Sequence, residues 1–156
     1  MESAQHYEIA NVIASLAVHV DARRWDDLAS LFAPEVRIDY TSLFGGEVQV
    51  LNRHALMNQW RQLLPGFTRT THVIGNPVIS ISDVEAKAIA SVIAFHVLND
   101  PALAGNDQWL VGGCYELILK KEDQAWCITS LTLARAWSRG NPELPKLARE
   151  RASRSG

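Results

Sequence analysis

Cysteine is scarce: the 156 residues contain two, Cys114 and Cys127, in separate segments and without a Cys-x-x-Cys spacing. That excludes a disulfide-stapled scaffold and predicts two reduced, structural thiols. No uninterrupted apolar run is long enough to span a bilayer. Met1-Glu2-Ser3-Ala4-Gln5-His6 lacks the basic start and apolar core of a secretory signal, so a cytoplasmic setting is expected. Neither sign of charge dominates, since fifteen basic residues stand against seventeen acidic ones for a formal charge of -2. DNA, RNA and anionic membrane are therefore poor default partners. No glycine-rich phosphate loop precedes a helix, and no serine or cysteine sits in a nucleophile-elbow pattern. There is no internal repeat and no low-complexity stretch.

What is present is an ordinary globular composition, 47% hydrophobic and 21% charged, with enough chain for one sizeable core. Apolar positions Tyr7, Ala10, Ile13, Leu16, Ala17 and Val20 recur at helical spacing. A short helix is predicted over residues 24–32, stopped by Pro34. Glu35 to Tyr40 then alternates as a strand with Val36, Ile38 and Tyr40 on one face. Asn52 is a good cap for a third helix bearing Leu56 and Trp60. Four long strands follow, over residues 68–81, 87–98, 108–121 and 125–137, with a bulge expected at Gly75-Asn76-Pro77. Residues 1–140 make a single domain. Residues 141–156 carry Lys146, Arg149, Arg151 and Arg154 and read as a solvated basic tail.

Two histidines lie on these strands. His72, in Arg69-Thr70-Thr71-His72-Val73-Ile74-Gly75, is either a satisfied core residue or the working group of a pocket; strand position alone favours the core. His96 shares its face with Ala88, Ala90, Val92 and Ala94, whose small side chains leave room for a ligand or for closely packed helices. Asp21, one residue past the apolar stripe of the first helix, gains nothing from the helix dipole and reads equally well as a solvated turn residue. Two histidines on separate strands with no third ligand give no metal site.

Helices first and strands mostly afterwards predict an α+β fold, a curved antiparallel (mixed) sheet wrapped around N-terminal helices as a cone-shaped barrel with an internal pocket. That order, with Trp126 following the charged turn Lys120-Lys121-Glu122-Asp123-Gln124-Ala125, resembles the nuclear transport factor 2-like superfamily and its SnoaL-like, polyketide-cyclase-like group. Within it, the run from Val20 to Leu28, the Arg37-Ile38-Asp39-Tyr40 run and Thr71-His72-Val73-Ile74-Gly75 are similar to the scytalone dehydratases, which eliminate water from a cyclic β-hydroxy ketone without a cofactor. The resemblance implies that Asp21 orients His72 as a general acid/base. It also implies that Tyr40 holds a water against the substrate carbonyl and that His96 is a second pocket histidine. Val20 stands where the family has a second water-holding tyrosine, and Gly113 and Tyr115 fall on a family serine and asparagine.

Read physically, His96 and Tyr40 are expected to donate hydrogen bonds to a carbonyl as an enolate forms. Leu43, Leu56 and Tyr115 are expected to wall the pocket. The function expected is a cofactor-free lyase or isomerase acting on a small cyclic, partly apolar carbonyl compound. The alternatives are a non-catalytic binding or assembly module of the same fold, or a cyclase or isomerase with a different reaction. Trp109, Trp126 and Trp137 on the strands suggest burial between copies, as a homodimer or homotrimer.

Overall fold

The computed structural model describes residues 2–155. Its elements run α1 (Glu2–Ala22), α2 (Trp25–Ser30), β1 (Phe32–Asp39), α3 (Thr41–Phe44), β2 (Gln49–Asn52), α4 (Arg53–Arg61), a 3-10 turn (Leu64–Gly66), β3 (Arg69–Ser82), β4 (Glu85–Val97), a second 3-10 turn (Pro101–Leu103), β5 (Gln108–Glu122), β6 (Ala125–Gly140) and α5 (Leu144–Arg154). The strands form one sheet in the order β2-β1-β6-β5-β4-β3. All neighbours are antiparallel except β1 and β6, which makes the sheet mixed. It is not closed: β2 and β3 remain edges, and the helices complete the α+β cone. Among the described residues, no helix is long and apolar enough to cross a membrane.

Alternation decides which face is covered. On β4, Ala86, Ala88, Ala90, Val92, Ala94 and His96 are all buried, while Ile89, Ile93 and Phe95 are partly open on the other side. The small inner residues serve both purposes foreseen for them: Ala86, Ala88 and Ala90 belong to the packed core, and Ala94 and His96 line a cavity. Helix α1 lies along β3 with Ile9, Ile13, Leu16 and Val20 inward. It ends with Arg23 in the left-handed region (φ 56°), its N–H on the Val20 carbonyl and that of Arg24 on the His19 carbonyl. Glycine usually fills that position. Arginine stands here, and its guanidinium donates to the carbonyls of Leu64 and Phe67, tying the segment after α4 to the end of α1.

Bends in the sheet come from irregular register. Asn76 and Pro77 oppose the single residue Ala90, with Asn76 at φ 54°, so the expected bulge is present. Gly112 pairs with Trp137 and Gly113 with Arg135, leaving Ala136 unopposed and turning Trp137 onto the outer face. A Cβ on Gly112 would meet the Trp137 indole at 2.1 Å, and one on Gly113 would meet the Ala134 carbonyl oxygen at 2.1 Å.

Three expectations need correction. Pro34 does not stop α2 but lies inside β1; the ladder to β6 is interrupted between Phe32 and Arg37, so no partner asks for its missing N–H. The described part of the segment expected as a solvated tail, residues 141–155, instead forms a packed helix, and Gly156 lies outside the described residues. Leu144, Pro145 and Ala148 of α5 are buried, and the Ala148 carbonyl packs so closely on Gly66 that a Cβ there would lie 1.7 Å from it. Trp109 and Trp126 are buried by the chain's own core, which leaves only Trp137 of the three strand tryptophans open to solvent.

The bulge is testable by stability. Gly113→Ala drives a methyl into a backbone carbonyl and is expected to cost about 1–3 kcal/mol in urea unfolding. Gly75→Ala faces open space and should stay within about 0.5 kcal/mol of the parent. Equal effects at the two sites would contradict the bulge geometry.

Candidate active site

Asp21 sits in the last turn of α1, where the helix dipole disfavours a carboxylate. Three donors from β3 offset that. Asp21 Oδ1 accepts from the Thr70 hydroxyl at 3.0 Å and lies 2.7 Å from His72 Nδ1, while Oδ2 accepts from the His72 backbone N–H at 2.7 Å. Asp21 is therefore not a solvated turn residue. Its position obliges the His72 ring to carry its proton on Nδ1, which leaves Nε2 as the basic nitrogen. The His72 side chain is 11% exposed and lines an internal cavity of about 350 Å³.

His96 reaches the same cavity from β4, one ladder step away through the pair Thr70–His96. Its ring lies edge-on to that of His72, 5.8 Å between centroids, and is flanked by Phe67 at 4.9 Å and Trp109 at 4.5 Å. His96 Nδ1 donates to the backbone carbonyl of Trp109, its cross-strand partner, at 3.0 Å. Burial pushes the His96 pKa down to about 4, and the neighbouring His72 adds to that. The neutral ring thus holds its one proton on Nδ1 and offers only a lone pair at Nε2. This corrects the expectation that His96 donates to a substrate carbonyl. Neither histidine's Nε2 has a partner among the described residues, and neither is sealed from solvent-sized contact, so both open to the cavity.

Donors come from two tyrosines. Tyr40, just past β1, and Tyr115 of β5 both line the cavity and their phenols are paired. Burial, together with the Tyr115 phenol beside it, raises the Tyr40 pKa well above its usual value; burial likewise raises that of Tyr115. Both phenols keep their protons at neutral pH. One O–H serves the pair, and the other is left to donate into the cavity.

The rest of the wall is apolar, including Leu43, Val20, Ile74 and Leu133. Leu56 does not contribute: it is fully buried in the core where α4 meets α2 and β1, while Gln59 and Trp60, later on the same helix, reach the cavity. At the open end stand Phe44, Glu47 and Gln59, with Arg149 of α5 laid over the Phe44 ring at 5.2 Å. Sequence reasoning missed Thr70, Phe67, the Trp109 carbonyl and Arg149. Thr70 shares the strand parity of His72 and was findable; the Trp109 carbonyl, a backbone group, leaves no side-chain signal.

Protonating His96 places a charge in a buried site beside His72, and the sign of the pH effect follows. Its folded pKa, about 4, lies below the ordinary 6.5, so the unfolded chain binds the extra proton and stability falls as pH drops from about 6.5 to 4. The loss from this group is expected to be about 3 kcal/mol. Urea unfolding at pH 7 and pH 4 should show that loss shrink in His96→Gln; an unchanged pH dependence would contradict the assignment.

A family model of the SnoaL-like domain matches residues 1–132. An uncharacterized protein of Mycobacterium tuberculosis is 31% identical over 108 residues, covering 69% of this chain and 67% of its own length. Among solved structures, Kfla4162 of Kribbella flavida superposes with a TM-score of 0.87 at 24% identity, covering 94% of this chain and 99% of that one. A Novosphingobium aromaticivorans protein described as a candidate scytalone dehydratase gives 0.75 at 20% identity, covering 90% and 89%. The type-3 hexachlorocyclohexane dehydrochlorinase LinA of Novosphingobium barchaimii gives 0.75 at 16% identity, covering 90% and 92%. At these identities the structural likenesses show the fold. With the domain match running from the first helix into β6, the chain belongs to the SnoaL-like family, built on the nuclear transport factor 2-like cone.

Proposed function

We propose that this protein is a cofactor-free lyase or isomerase that removes a proton from the carbon next to a carbonyl in a small cyclic, partly apolar substrate. The observation that carries this reading is the 2.7 Å contact between Asp21 and His72 Nδ1, which frees Nε2 of the same ring inside an apolar cavity of about 350 Å³. In the proposed step His72 Nε2 takes the proton, and the electron pair of the broken C–H bond moves toward the carbonyl oxygen. The free phenol O–H of the Tyr40–Tyr115 pair donates to that oxygen as charge develops. Asp21 stabilises the imidazolium so formed without taking its proton. Collapse of the enolate then forms the ring double bond as the C–O bond of a β-hydroxyl breaks. His72 returns its proton to the departing oxygen, which leaves as water. Returning the proton to carbon instead gives isomerisation with the same residues.

Two structural relatives support a lyase reading by name, one a candidate dehydratase and one a dehydrochlorinase. A positioned general base is typically worth about a hundredfold to ten-thousandfold in rate. The test is exchange of the α protons of 2-tetralone, a bicyclic ketone, into heavy water, followed by NMR. Catalysed exchange is expected for the parent, and His72→Ala should lower it at least about a hundredfold while the circular dichroism spectrum is unchanged. Exchange no faster than buffer for the parent, or undiminished in His72→Ala, would overturn the proposal.

A further inference from the structure

The two imidazoles that share the cavity present the same hydrogen-bonding character. His72 uses its Nδ1 proton on Asp21 and His96 uses its own on the Trp109 carbonyl, so each ring turns an unprotonated nitrogen toward the ligand space. Only one of those lone pairs has work in the proton abstraction described above. The other, on a ring fixed between Phe67 and Trp109, opens to the cavity with no hydrogen-bond partner among the described residues and becomes buried when a ligand fills that space. A buried acceptor that stays unpaired when a ligand displaces water is costly. A ligand carbonyl, ether or halogen at this end would set one electron-rich atom against another.

We infer that His96 is a specificity-determining residue that accepts a hydrogen bond from a hydroxyl of the ligand, so that the cavity selects hydroxylated rings over their ether or halogenated counterparts. The polarity of the whole cavity agrees with this. The two histidines supply acceptors, the Tyr40 and Tyr115 phenols supply a donor, and the rest of the lining is mostly apolar. A ring that carries both a carbonyl and a hydroxyl meets a complement for each. A hydroxyl whose hydrogen rests on His96 Nε2 also turns its oxygen lone pair toward the neighbouring His72, which has a proton to return. The inference deepens the proposed function and rests on the reading of this cavity as the substrate site. It separates the two chemistries found among the structural relatives: a hydroxyl leaving group satisfies His96 and a chloride does not.

The experiment compares three bicyclic probes, 2-naphthol, 2-methoxynaphthalene and 2-chloronaphthalene, by calorimetric titration of the intact protein. Losing a buried hydrogen-bond partner corresponds to about a tenfold or larger change in affinity. 2-Naphthol is expected to bind the parent at least about tenfold more tightly than either of the others. His96→Phe, which keeps a flat ring and loses the acceptor, should equalise the three. His96→Gln, which restores an acceptor through its amide oxygen, should recover part of the preference and serves if the phenylalanine variant does not fold. Comparable affinities in the parent, or a preference that survives in both variants, would overturn the inference. Catalysed exchange of 2-tetralone together with no preference would leave the proton-abstraction reading standing and remove only the role of His96. Binding of none of the three would remove the substrate-site reading and this inference with it.

Discussion

The carboxylate of Asp21 is the constraint on which the rest of the site depends. It joins the last turn of α1 to β3 through one hydroxyl, one backbone N–H and one ring nitrogen. Charge-assisted bonds of this kind are the strong ones, and here they act where a helix end would otherwise repel the charge. A single group thereby sets the approach of helix to strand, the orientation of the His72 ring and the nitrogen on which its proton resides. The neighbouring Arg23 continues the device. By accepting a left-handed backbone in place of glycine, it brings its guanidinium onto the Leu64 and Phe67 carbonyls and so fixes the ring that packs on His96.

From that anchor the cavity acquires direction. His72 and His96 come from adjacent strands and are both oriented by oxygen acceptors outside the ligand space, a side-chain carboxylate in one case and a backbone carbonyl in the other. Tyr40, just past β1, and Tyr115 of β5 line the same cavity as protonated phenols. A low-dielectric interior strengthens the few polar interactions made there. Charge development toward the phenols and proton movement at the histidines are then two ends of one arrangement. The alanines of β4 supply the space, and the bulges of β3 and β6 supply the curvature.

Much of this was legible in the sequence where a period or a cap carries the information. The stripe of α1, the alternation of β4 around His96, Asn52 capping α4 through the His54 N–H, and the bulge after Gly75 all follow from local rules. The pairing of Asp21 with His72 needed the family resemblance, since 51 residues separate them and neither carries a local signature of the other. Pro34 misled because a proline normally ends a helix, whereas an interruption in strand pairing accommodates it equally well. Leu56 misled because a helix's inward stripe names the buried face without saying what that face meets. The C-terminal helix was within reach: Pro145 in its first turn and the spacing of Leu144, Leu147 and Ala148 are helix signals, outweighed by the run of arginines. The tautomer of His96 was beyond reach, because a main-chain carbonyl sets it.

The central claim is that Asp21 holds the His72 proton on Nδ1 and leaves Nε2 free to act as a base. Two-bond proton–nitrogen correlation NMR of the folded protein at neutral pH, with His72 assigned by its loss in a His72→Gln variant, measures this directly. The expected result is a protonated Nδ1, slow to exchange and lost from that position in Asp21→Asn, with Nε2 unprotonated. A proton on His72 Nε2 in the parent protein at neutral pH would contradict it.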